Sequence, residues 1–185
     1  MKERKYKDDW QTEVRWDQEK DREKRVPVYR GDWFSLSGKE PRKALQKARL
    51  LAGLLWLGYV GLLLVYFLLN FPGATTLYVF LPAALSLFPA FYWLLGFFAL
   101  LRLRERMTRL QKENGPGRVL RSGAGCFLLS AAALTGDLVL MTAGGQASRE
   151  GPGFGMLASA AILAFACLRY FRAFDKQLRK ASAES

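Results

Sequence analysis

One carboxylate, Asp137, stands in SAAALTGDLVLMTAGG, residues 130–145, a stretch otherwise suited to lipid. An ionisable side chain inside an apolar span is costly, and it marks an ion or proton path when it faces the interior of a bundle. Asp137 lies sixteen residues past Arg121. At about 1.5 Å per residue its Cα stands about 24 Å along a helix that must cross roughly 30 Å of hydrocarbon. Two readings follow from that depth: a candidate ion or proton site, or an interfacial polar residue facing water or a neighbouring helix.

Other chemistry is narrowed by what the composition lacks. There is no histidine, which removes the usual proton shuttle near neutral pH and the Ser-His-Asp, Cys-His and zinc-water mechanisms. The two cysteines, Cys126 and Cys167, are too few for a structural zinc and read as small buried packing residues. RSGAGC and GPGFG lack the preceding strand and following lysine of a phosphate-cradling loop. No catalytic residue, metal ligand set or cofactor emerges, and the chain reads as a non-enzyme.

The remaining candidates are mechanical or electrostatic. Gly155 and Ser159, and likewise Ala160 and Ala164, stand four apart and would let a neighbouring helix approach closely. Pro82 and Pro89 each delete a backbone hydrogen bond and are candidate hinges. Arg102, Arg106 and Arg109 form one basic stripe, and Arg172, Lys176 and Arg179 another, each placed to contact anionic lipid.

The elements that must position these residues are membrane spans. Residues 50–69 and 77–101 carry no charge, and each run is long enough to cross the hydrocarbon. Residues 122–145, interrupted by Asp137, and 154–171, ending past Arg169, make a third and fourth span, with a re-entrant or interfacial hairpin as the alternative. The fold class is an all-α integral membrane protein: a four-helix transmembrane bundle of two hairpins with a charged cytoplasmic N-terminal arm. The chain divides into the arm (1–46), partly helical or disordered; a first hairpin with an amphipathic extension (47–113); a Gly/Pro linker (114–118); and a second hairpin with a basic tail (119–185).

Charge sets the expected orientation. Residues 1–49 hold fifteen basic and ten acidic side chains, residues 102–121 seven and two, and residues 169–185 five and two. The connector NFPGATT has no charge, and QASREGPG sets Arg149 against Glu150. The positive-inside rule places both termini and the middle loop in the cytoplasm of a bacterial cell. The net charge of +12 thus flanks apolar spans instead of forming a nucleic-acid-binding face.

In the arm, oppositely charged residues three or four apart suit a solvated helix, and Trp10, Val14 and Trp16 share no helical face. A helix starting near Ser37 or Gly38, with Pro41 in its first turn, would lead into the first span. LRLRERMTRLQKE continues the second span as an amphipathic helix, with Leu103, Met107 and Leu110 on one side. The expected function is a non-enzymatic accessory, scaffold or assembly subunit whose partners are membrane lipids and another protein or a second copy. A small oligomeric transporter or channel component, using Asp137 and the proline-kinked second span, is the alternative.

Overall fold

The computed structural model describes residues 9–17, 22–36, 40–143 and 147–180. It is mostly helical, and four helical segments are long and apolar enough to cross a membrane: Pro41–Leu68, Leu77–Leu101, Arg109–Ala143 and Glu150–Gln177. Helix α1 (Pro41–Leu68) has 28 residues, a length of about 42 Å against roughly 30 Å of hydrocarbon. Pro41 is its first residue, where a missing N–H costs nothing and the fixed φ suits the turn. After α1 the chain reverses through Asn70, whose φ of 51° is a left-handed conformation that asparagine tolerates. It then makes the single turn α2 (Pro72–Thr75).

The second span is two helices, α3 (Leu77–Leu85) and α4 (Leu87–Leu101), separated at Ser86. Pro89 has no N–H for the Leu85 carbonyl and Pro82 has none for Tyr78, so the ladder weakens on both sides of Ser86. The buried Ser86 hydroxyl donates to the Ala83 carbonyl at 2.6 Å. The two candidate hinge prolines therefore flank a break.

Helix α6 (Pro116–Ala143) and α7 (Ala147–Gln177) supply the other two spans. The four segments close into a ring: α1 lies against α7 and α4, and α6 lies against α7 and both halves of the second span. Because α1 meets α7 more extensively than it meets α4, the packing is not that of two self-contained hairpins. Glycines set the closest approaches on α6, where a Cβ on Gly125 would lie 3.0 Å from Pro89 Cβ and one on Gly136 3.0 Å from the Tyr78 carbonyl oxygen. That carbonyl is the one Pro82 leaves without its helical donor. Inside the ring Tyr59 and Trp93 are fully buried, and the Tyr59 hydroxyl bonds Ser130 Oγ at 2.9 Å. Leu50, Leu54, Leu57 and Leu64 project outward from α1, as side chains facing hydrocarbon do.

The basic end differs from the sequence expectation. The arm is helical from Pro41, but its described residues between Trp10 and Leu36 are largely extended: β1 (Trp10–Asp17) and β2 (Arg22–Tyr29) form an antiparallel hairpin with Trp10 opposite Tyr29. Trp10, Thr12, Val14 and Trp16 fail a helical period because they occupy alternate positions along one strand, which puts them on one face. Strand β3 (Trp33–Leu36) lies between β4 (Arg106–Thr108) and β5 (Leu178–Lys180), antiparallel to both.

The expected helical extension of the second span is interrupted for the same reason. Arg49 donates to the carbonyls of Leu100 and Leu103 at 3.2 and 2.7 Å, which terminates α4. The next residues pair with β3, Met107 becomes fully buried, and only α5 (Arg109–Asn114) is helical, started by a capping box between Thr108 and Gln111. The expected 114–118 linker shrinks to Gly115, since Pro116 can begin α6. The expected helix start at Ser37 or Gly38 lies outside the described residues.

Candidate functional site

At the end of the bundle away from the sheet, four elements bring polar groups together. The last turns of α1 carry Tyr66, α2 carries Gly73, α6 carries Asp137 six residues before its end, and the first turn of α7 carries Glu150. Tyr66, Asp137 and Glu150 are all 0% exposed. The Gly73 N–H donates to Glu150 Oε2 at 3.1 Å. Tyr66 Oη, both Asp137 oxygens and Glu150 Oε1 have no hydrogen-bond partner.

These free oxygens converge on one point. A Cβ on Gly73 would meet Tyr66 Oη, Glu150 Oε1 at 2.6 Å and Asp137 Oδ1 at 2.7 Å. A methyl group there would occupy the place where the three oxygens meet and displace them. Gly153 is similarly confined, its Cβ position lying 3.0 Å from Glu150 Oε1 and from Phe71 Cγ. The Phe71 ring stacks on Tyr66 with centroids 5.8 Å apart and closes the cluster with an apolar wall.

Two carboxyl groups in a low-dielectric interior repel when both are ionised, and burial of each charge costs several kcal/mol unless compensated. A shared proton or a bound cation resolves that conflict. Nothing in the cluster acts as a nucleophile with an adjacent base, so the chemistry it offers is proton or cation binding. Among the described residues, no three His, Cys, Asp or Glu side chains gather as a metal site would require.

Asp137 stands out in the sequence, whereas its neighbours Tyr66, Gly73 and Glu150 do not. In the sequence Glu150 falls in a connector beside Arg149, which balances its charge. The missed signal is a spacing of three and four: Glu150, Gly153, Leu157, Ala160, Ala164 and Cys167 run down one buried stripe of α7. Val119, Cys126, Ser130, Ala133 and Asp137 form the matching stripe on α6.

The other expected residues fall in several places. Ala160 and Ala164 are fully buried. Gly155 and Ser159 are exposed, a Cβ on Gly155 would meet nothing, and Ser159 Oγ bonds back to the Gly155 carbonyl at 2.8 Å. That pair is therefore no contact inside this chain, because it lies off the buried stripe. Cys126 and Cys167 are both free and buried, with Cys167 Sγ 3.3 Å from the Gly123 Cβ position.

Arg102, Arg106, Arg109, Arg172 and Lys176 are exposed at the sheet end, and Arg109 sits 3.7 Å from Glu113. Of Arg179 only the backbone is described, opposite Ser35 in the sheet. The tail is thus helical to Gln177 and extended from Leu178 to Lys180, so Leu178 and Arg179 do not continue the amphipathic pattern begun by Tyr170 and Phe174. Compared with known proteins, the chain matches no protein-family model, no curated protein and no solved structure.

Proposed function

We propose that the chain is a non-enzymatic accessory or assembly subunit of a cell membrane, crossing it four times with both termini in the cytoplasm. The observation that carries this reading is the sheet β4-β3-β5, in which arm, middle loop and tail meet. These are the three segments that hold the surplus of lysine and arginine, and positive charge is retained on the cytoplasmic side. The arm is thereby held on the bundle as a platform, with the β1–β2 hairpin standing beyond it and Val14 and Trp16 57% and 60% exposed. Exposed apolar side chains on a charged hairpin suit a protein partner. Deleting residues 9–29 while retaining β3, followed by a crosslinked pull-down against the full chain, tests the platform. Specific partners should vanish from the deleted form, and unchanged recovery would refute the hairpin as the docking element.

The second reading, a transporter or channel component, is favoured by the Asp137–Glu150–Tyr66 cluster. On this reading Asp137→Asn abolishes cation- or pH-coupled flux in reconstituted vesicles while helix content is preserved. Wild-type vesicles that stay tight to protons, sodium, potassium and calcium would exclude it.

A further inference from the structure

A cleft of about 920 Å³ opens at the sheet end between the start of α1, the segment after α4, and the aromatic residues of the arm. Its walls carry five arginines, Arg42, Arg49, Arg102, Arg104 and Arg106, against the single acid Glu105. That acid is occupied by an ion pair with Arg42. Arg49 is fixed by its bonds to the Leu100 and Leu103 carbonyls. Among the described residues, the side chains of Arg102, Arg104 and Arg106 meet no anion. The cleft therefore holds a concentrated positive charge that includes one immobilised guanidinium.

Its position identifies the anion. Arg42 and Arg49 precede the uncharged run that begins at Leu50, and Arg102 follows the one that ends at Leu101. The cleft thus lies where two spans pass from hydrocarbon to water. Trp10, Tyr29 and Trp33 line it too, with both indole rings meeting the Tyr29 ring edge-on at centroid distances of 5.2 Å. Amphipathic aromatic rings collect at this depth of a bilayer, beside the headgroups. Guanidinium forks match phosphate oxygens in pairs, and the volume is that of a small-molecule site, larger than one phosphate needs.

We propose that this cleft binds the headgroup of an anionic phospholipid, with Arg102 and Arg104 contacting the phosphate and Trp10 and Trp33 bracketing the glycerol region. The inference rests on the membrane reading above, but not on which leaflet the sheet end faces. It deepens the sequence expectation of a basic surface stripe, because Arg104, Arg42, Arg49 and the aromatic wall make a bounded site in its place.

The test uses the full chain in nanodiscs of equimolar phosphatidylglycerol and phosphatidylcholine, with lipids retained on release counted by native mass spectrometry. Wild type should retain phosphatidylglycerol in preference. Arg102→Gln/Arg104→Gln should lower that preference roughly twentyfold, and Arg104→Gln alone, at an exposed side chain without hydrogen bonds, about fivefold. Lys47→Gln/Arg169→Gln, which removes the same charge at the same end but outside the cleft, should lower it far less.

Equal retention of the two lipids by wild type would overturn the proposal, as would an equal fall in both double variants. Displacement of the lipid by millimolar inorganic phosphate would overturn it too, by assigning the site to a soluble anion. A chain that stays monodisperse without detergent would instead remove the membrane reading beneath it, a separate failure.

Discussion

Gly73 lies beside one oxygen each of Tyr66, Asp137 and Glu150, and its missing side chain is what lets them meet. Gly73→Ala should destabilise the protein by about 1–3 kcal/mol, since overpacking a filled site forces its neighbours apart. Gly61→Ala, on a helical position with nothing within 4 Å, should be neutral or gain up to about 1 kcal/mol. Denaturant unfolding in detergent distinguishes the two. Asp137→Asn and Glu150→Gln should each raise stability by on the order of 1 kcal/mol, because removing one buried charge relieves the other, as at sites where function is held at the expense of stability. Thermal unfolding lower than wild type in both variants would contradict that account. Asp137 was legible because it breaks an apolar run. Glu150 was not, because an adjacent arginine in a Gly/Pro-rich connector makes it resemble a solvated charge.

Helices and strands were unequally visible. The spans follow from apolar length alone, which the bilayer imposes whatever the side chains pack against. The choice between small-residue stripes does not follow from length, since Gly155/Ser159 and Ala160/Ala164 have the same spacing and only neighbouring helices decide between them. Gly136→Val should therefore cost about 1–3 kcal/mol by colliding with Tyr78, whereas Gly155→Val should be tolerated; equal losses in thermal unfolding would restore the expected stripe.

In the arm, charge pairs at helical spacing concealed alternation of period two, which became decisive once β1 paired with β2. Tyr29 ties the hairpin down: its hydroxyl donates to the Asp32 carbonyl at 3.1 Å and accepts the Arg109 N–H at 3.2 Å. Burial pushes this phenol above its ordinary value of 10.0. The docked arm thus holds the proton more tightly than the undocked arm, so docking is fully present below pH 10 and is lost as pH rises through and above it. Tryptophan emission should shift red over that range in wild type, and Tyr29→Phe should abolish the shift while weakening docking by about 0.5–1.5 kcal/mol.

For the whole molecule, four spans could be counted from the sequence, but not the ring they form or the sheet at its end. Strand pairing between residues 33–36, 106–108 and 178–180 depends on contacts far apart in the chain, and segments of three or four residues carry too little pattern to announce it. Two contacts across different elements reinforce the assembly: Lys112 pairs with Asp175 at 3.1 Å and lies 4.7 Å from the centre of the Phe34 ring. Truncation after Gln177 should strip one edge of β3 and speed proteolysis within residues 9–36, leaving the spans protected. An arm as resistant as in the full chain would show that β4 alone secures it.

The order in which β3 acquires its partners has a consequence for biogenesis. Ribosomal synthesis delivers β3 before any span, β4 only after the second, and β5 only after the fourth. Both edges of β3 thus wait, and unpaired edges attract chaperones and stray chains. The last of them closes only after all four long apolar helices have been made, so the sheet seals only around a complete bundle.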